Sequence, residues 1–274
     1  MIGYSNGANV TIKNVLSIGT VTSPVSAQFF GAVKSTRSSI SNSYYQGENV
    51  NGSASTVTLE GAVKVTDEQL ANGEVAVKLG SAFRQDIGAD AYPTLDTTKG
   101  VVAEITDAGY ATLYITETGV VVPEGVEAFT GVIDGEYVFL NPVEGNIAAE
   151  EPVVLKGAAG IYSFTPALSA IKAEVNDLKG AAEDTQATGK YVLAKVDDRV
   201  GFFKADSGII KAGKAYIEVE SAVKVFYFDG DDATGISSVE SVQTENGAIY
   251  NLAGQRLSKM QKGINIMNGK KILK

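Results

Sequence analysis

A short pattern recurs at a fixed interval near the start of the chain. Ile12, Asn14, Leu16 and Gly19 return as Ile40, Asn42, Tyr44 and Gly47, each 28 positions further on. Around them the apolar residues Val10, Ile12 and, more loosely, Leu16 and Ile18 alternate with polar ones. That is the period of a strand whose side chains face opposite sides in turn. A strand-patterned repeat of this length, rich in Gly, Ser and Asn, predicts coils of a β-solenoid that stack their strands in parallel over 1–58. Stacked coils need about three or more neighbours to bury a continuous core. Two matched copies therefore read as the C-terminal end of a longer solenoid. An irregular Ser/Thr-rich β segment is the competing reading. An Asn14–Asn42 ladder suggests a ligand site, or side chains bonded to their own backbone turns.

Composition narrows the chemistry. The 274 residues, enough for one or two domains, contain no Cys, His or Trp against 12 Tyr and 10 Phe. Disulfides, Cys/His zinc sites, a thiol nucleophile and imidazole-based catalysis are excluded. Acids outnumber bases 32 to 23, a net charge of −9, which argues against a nucleic-acid partner. The longest uncharged stretch, between Lys13 and Lys34, is broken by Asn14, Ser17, Thr20, Ser23, Pro24 and Gln28, so no transmembrane segment is expected. The start lacks a basic region and an apolar run, so no signal peptide is read there. A cytoplasmic protein, or a piece of a longer secreted one, fits equally at this point.

Residues 59–99 read as a helical cap and connector. Thr66-Asp67-Glu68-Gln69 has the form of a capping box, and Leu70, Ala71, Val77 and Glu74 share a face of a helix stopped by Gly80, with Gly73 weakening its middle. Such a helix would plug the open end of the solenoid and keep its last strand from pairing with other chains.

Residues 100–232 hold short runs rich in Val, Ile, Tyr and Phe, punctuated by Gly, Asp and Pro about every dozen residues. This is the spacing of an antiparallel β-sandwich-like domain. An internal duplication is expected: 135–140 resembles 189–194, and 145–155 resembles 208–218. Leu168, Ile171, Val175 and Leu178 at 3-4-3 spacing predict a short helix or a loop. Residues 233–245 have linker composition. In 246–274, two apolar runs followed by Asn268-Gly269 and Lys270–Lys274 predict a β-hairpin module with a type I′ turn.

Ile40-Ser41-Asn42-Ser43-Tyr44-Tyr45 resembles the GLUG repeat of bacterial surface proteins, and the following Glu68–Leu79 string resembles the usual sequel to such coils. The C-terminal segment resembles the short sorting domain of the type IX secretion pathway. Ile249–Leu257 carries Tyr250, Leu252, Gly254, Gln255 and Arg256 in that family's order; Lys262 and Gly263, then Gly269, Lys270 and Lys271, match its next two motifs. Asn265 stands where the family usually has Tyr, and the unit is shorter than a full sorting domain. The alternative is a final hairpin that merely completes a neighbouring sheet.

The resemblances imply a secreted protein on the outer-membrane surface of a Gram-negative bacterium. Its role would be non-catalytic display and anchoring of an upstream solenoid, in adhesion or surface interaction. Its partners would be the secretion and anchoring machinery. A binding module for a carbohydrate or host surface protein is the alternative, with Tyr44 and Tyr45 as glycan-contact candidates. A third reading is a fragment of a polysaccharide-degrading solenoid enzyme working through paired carboxylates. The adjacent pairs Asp197/Asp198, Glu150/Glu151 and Glu183/Asp184 sit in turn-like surroundings and read as solvated. Asp229-Gly230-Asp231-Asp232 lacks calcium-loop spacing, and Gly157–Gly160 joins two strands without opening a helix, so no metal or cofactor is expected.

Overall fold

The computed structural model of the chain describes residues 2–5, 9–19, 21, 28–34, 36–47, 55, 61–228, 249–250, 256–257, 264–267 and 270–273. The chain is mainly β and divides into two units, 1–229 and 230–274.

The first five strands are β1 (Ile2–Ser5), β2 (Thr11–Ser17), β3 (Phe30–Val33), β4 (Ser39–Tyr45) and β5 (Ala62–Lys64). Among the described residues they pair only in parallel. Ile2 lies opposite Phe30, Ile12 opposite Ile40 and Leu16 opposite Tyr44, so the spacing of 28 residues is the register itself. Phe29 and Ile40 are buried against Val10, Ile12, Val15 and Tyr45. Asn14 and Asn42 adopt left-handed φ of 57° and 42° within their strands. Asn is among the few side chains that tolerate this region. In the β4–β5 ladder Ser43 faces Ala62, which puts Gly61 (φ 108°) beside Asn42. A Cβ at Gly61 would lie 2.1 Å from the Ile40 carbonyl oxygen, so only glycine fits there.

The expected single helix is two: α1 (Asp67–Ala71) and α2 (Glu74–Leu79). The capping box forms, with Gln69 N donating to Thr66 Oγ1 at 3.2 Å and Thr66 N to Gln69 Oε1 at 3.1 Å. Gly73, at φ 87°, breaks the helix where Ile87 and Ile161 press within 3 Å of its missing Cβ. The break rotates α2, so the buried residues are Leu70, Val75, Ala76 and Leu79; Ala71 is exposed and Val77 half-buried. Leu70, Val75 and Leu79 pack with Tyr44, Val65, Leu16 and Phe83 over the end of the parallel stack. Fully buried Gln85 ties cap to connector: its Nε2 donates to Leu70 O (2.8 Å), Ala71 O (3.2 Å) and Asp90 O (3.2 Å).

The next region contains β6 (Val101–Ile105), β7 (Tyr110–Leu113), β8 (Val126–Asp134), β9 (Tyr137–Pro142), β10 (Val153–Gly157), β11 (Gly160–Phe164), β12 (Leu178–Gly180), β13 (Thr185–Gln186), β14 (Tyr191–Val196), β15 (Arg199–Lys204), β16 (Ile209–Ile210), β17 (Ala215–Ile217) and β18 (Val225–Phe228). Nine of them form one sheet in the order β12-β17-β14-β15-β18-β9-β8-β10-β7. The order is a palindrome about β18. The hairpin β8–β9 with β10 and β7 on one side answers the hairpin β14–β15 with β17 and β12 on the other. Left-handed residues mark equivalent turns at Gly135 and Asp198, Gly145 and Gly208, and Glu150 and Gly213, each pair 63 apart. The similarity of 145–155 to 208–218 follows this offset. That of 135–140 to 189–194 does not: Tyr137 opens the second strand of its hairpin, whereas Tyr191 opens the first.

The expected pair of facing antiparallel sheets is thus corrected to one mixed sheet. β18 inserts between the two hairpins and pairs in parallel with β9, Tyr227 opposite Tyr137. The ends of the sheet curl together, with Tyr114 N donating to Gly213 O (2.8 Å) and Ala215 N to Thr112 Oγ1 (3.1 Å), so the sheet nearly closes. β10 is buried on both faces. Val154 joins Tyr191, Phe202, Ile217, Phe226 and Phe228 in one cluster. Val153 and Leu155 join a second with Val101, Ala103, Ile105 and Phe164 of the two-stranded layer β6–β11. Leu178 is buried in β12, but 165–177 forms no helix; Leu168, Ile171 and Val175 are exposed on a loop pinned by Asn146 and the buried Glu151.

In the second unit, β19 (Ile249–Tyr250), β20 (Arg256–Leu257), β21 (Ile264–Met267) and β22 (Lys270–Leu273) form an antiparallel sheet in the order β20-β19-β21-β22. The Asn268-Gly269 turn and the 233–245 linker lie outside the described residues. Among the described residues no helix is long and apolar enough to cross a membrane.

Candidate functional site

Of the sorting-motif candidates, Tyr250 falls in β19, Arg256 in β20, and Lys270 and Lys271 in β22, where Lys271 pairs with Ile266 and Lys270 with Met267. The backbone brings these four positions into one small sheet. Leu252, Gly254, Gln255, Lys262, Gly263 and Gly269 lie outside the described residues, as does Asp229–Asp232.

The aromatic candidates are engaged internally. Tyr44 is buried under the cap, its hydroxyl donating to Asn42 Oδ1 at 2.9 Å, and burial raises its pKa. Half-buried Tyr45 meets Phe29 edge-on at 6.2 Å. Neither ring is a free stacking platform. Tyr227 carries the Arg199 guanidinium 3.6 Å above its ring.

The carboxylate pairs also have structural roles. Asp197 and Asp198 turn the β14–β15 hairpin with left-handed φ of 49° and 64°. Glu151 is buried and accepts from Ala173 N (2.7 Å) and Asn176 Nδ2 (2.9 Å). Asp184 accepts from Lys211 Nζ (2.8 Å) and Ala212 N (3.2 Å), which together hold its carboxyl below the usual range. Among the described residues no three acidic side chains are placed to hold a metal ion.

Two adjoining hollows do collect chemistry. The first is a crevice of about 410 Å³ lined by Asn14 and Asn42 of the parallel stack, the end of α2, Val102 and Glu104 of β6, and the 211–214 turn. Asn42 Nδ2 spans its stack side, donating to Asn14 Oδ1 (2.8 Å) and Lys78 O (2.9 Å). The second is a cleft of about 520 Å³ with a mostly apolar wall, lined among others by Tyr110, Val192, Val200, Ile210, Lys214 and Ala215.

The cleft follows from the palindrome. In the first half, β6–β11 covers the outer face of the sheet. In the second half, β18 has gone into the sheet, and the two-residue strands β13 and β16 cover little: Ala181, Ala187, Ile210 and Tyr216, with Val192 and Ala205. β14 pairs with β17 at Tyr191–Ile217 and then diverges, leaving Val192–Lys195 across a gap from Tyr110–Thr112.

Lys214 lines both hollows. Burial lowers its pKa, which the nearby Glu104 only partly offsets. Among the described residues its ammonium has no hydrogen bond or ion pair. The sequence offers no sign of it, since a lysine next to an apolar run reads only as the start of a strand. Comparison with protein-family models, curated proteins and solved structures finds no match to this chain.

Proposed function

We propose that this chain is a non-catalytic module of a secreted protein displayed on the surface of a Gram-negative bacterium. In this reading the parallel strands are solenoid coils, α1 and α2 are their cap, the nearly closed sheet is a rigid spacer, and 246–274 is a sorting and anchoring unit used by a type IX route. The observation that carries it is the register of 28 residues linking β2 to β4, ended by a helical cap whose Leu70, Val75 and Leu79 cover Tyr44. Stacked strands transmit load through backbone hydrogen bonds, and a capped end is protected from pairing with other chains. The three carboxylate pairs, each spent on a turn or an anchor, favour display over hydrolysis.

The test is to fuse 246–274 to a periplasm-directed reporter in a Gram-negative host that carries type IX machinery. Reporter on the cell surface, cleaved by added protease, is the expected result. Reporter retained in the periplasm overturns the sorting role.

A further inference from the structure

We infer that the cleft beside β14 binds a small amphipathic carboxylate, its acid group on the Lys214 ammonium and its apolar body along Tyr110, Val192, Val200 and Ile210. This goes beyond the anchoring reading and does not depend on it.

Charge comes first. The chain carries −9, yet Lys195, Lys211 and Lys214 line the cleft against Glu104 alone. Lys195 is held by Asp198 at 3.2 Å and Lys211 by Asp184 at 2.8 Å. Lys214 is left with an ammonium that a bound anion would satisfy. A charge half-withdrawn from water without a partner is costly, and a ligand that supplies the partner recovers that cost as affinity.

Shape and polarity narrow the class. A volume of about 520 Å³ lies within the range of about 300–1,000 Å³ usual for small-molecule sites. Phosphate sites surround the anion with several convergent donors, often successive backbone N–H groups. One ammonium at the edge of aliphatic and aromatic walls suits a monoanionic carboxylate with an apolar tail, and the walls give a sugar's hydroxyls few partners. The cleft exists because the second half of the sheet lacks the covering layer that fills the first, so an apolar tail would occupy the place that Val101, Ile105 and Phe164 take on the other side.

The experiment is calorimetric titration of the full chain with decanoate below its micelle threshold, with decanol as the neutral analogue. Expected are one site per chain, decanol weaker by about tenfold or more, a similar loss of decanoate affinity in Lys214→Met, and retention in Lys214→Arg. Thermal melting of each variant verifies folding.

A pH series on the unaltered chain keeps the proposal testable if Lys214→Met fails to fold. Decanoate affinity should fall as the pH rises, beginning in alkaline solution below the ordinary lysine range. There burial takes the proton from Lys214 before an ordinary lysine would lose it; Glu104, Lys195 and Lys211, with Asp184 bonded to Lys211, are the other charged groups facing the cleft. No binding, equal binding of decanol, undiminished binding to Lys214→Met, or an affinity flat across that alkaline range overturns it. So does preference for an extended peptide that pairs with β14.

Discussion

The side-chain amide of Asn42 donates to Asn14 Oδ1 of the neighbouring parallel strand at 2.8 Å, and to the Lys78 carbonyl at the end of α2 at 2.9 Å. One residue thereby joins the parallel stack to its cap, satisfying a helix carbonyl that would otherwise lack a partner. It does so from a left-handed backbone, φ 42°.

Backbone and side chain can be separated at that position. Asn42→Gly keeps the conformation and loses the bonds, which should cost about 1 kcal/mol. Asn42→Val loses the bonds and adds left-handed strain at a β-branched residue, for about 3 kcal/mol in all. Urea unfolding of the two variants decides this; equal losses would mean the conformation is not enforced.

Gln85 presents a different balance. Replacing it by Leu keeps the volume but strands the carbonyls of Leu70, Ala71 and Asp90. A loss of about 2–3 kcal/mol is expected from unsatisfied buried acceptors, measured as a lower denaturation midpoint. An unchanged midpoint would show that water reaches these groups.

The hairpin turn at Asp197-Asp198 asks two non-glycine residues to sit at positive φ. Positive φ at both central residues is the mark of a type I′ turn, for which Asn-Gly is the preferred pair. Asp197→Asn with Asp198→Gly should raise stability by about 0.5–1 kcal/mol, read from the thermal midpoint. A decrease would indicate that the Lys195–Asp198 ion pair matters more than the backbone.

Acid should act through Asp90. Lys99 Nζ donates to it at 2.9 Å and Asp86 N donates to its other oxygen at 2.8 Å; both, Lys99 first, hold its pKa below normal. The folded value lies under the unfolded one, so the stabilisation is complete above about pH 4 and drains away as acid protonates Asp90 in the fold. Asp90→Asn should therefore be less stable than the unaltered chain at pH 6, with the gap closing towards pH 3. A gap independent of pH would assign the loss to packing.

Much of the local order was legible in the residues. The interval from Ile12 to Ile40 is the register of the β2–β4 ladder, and Thr66 with Gln69 forms the box their spacing predicts. The offset from Gly145 to Gly208 marks equivalent turns in the two halves. These features depend on neighbours in sequence or on a repeating unit, and propensity and periodicity record both. Gly73 was read as a weak spot and became a break, because Ile87 and Ile161, distant in sequence, press on it. Tyr44, a glycan-contact candidate in sequence, is buried in the fold, because alternation reveals which residues share a face but not which face is covered.

The sequence by itself determined the β character, the parallel interval, the capping chemistry and the absence of thiol and imidazole chemistry. Only the tertiary structure decided that β18 would pass between the two hairpins and pair in parallel with β9. That placement closes the sheet, strips the second half of its outer layer, and leaves Lys214 facing an apolar gap. Strand order is settled by which distant faces bury the most apolar surface together. No local pattern of residues encodes that sum.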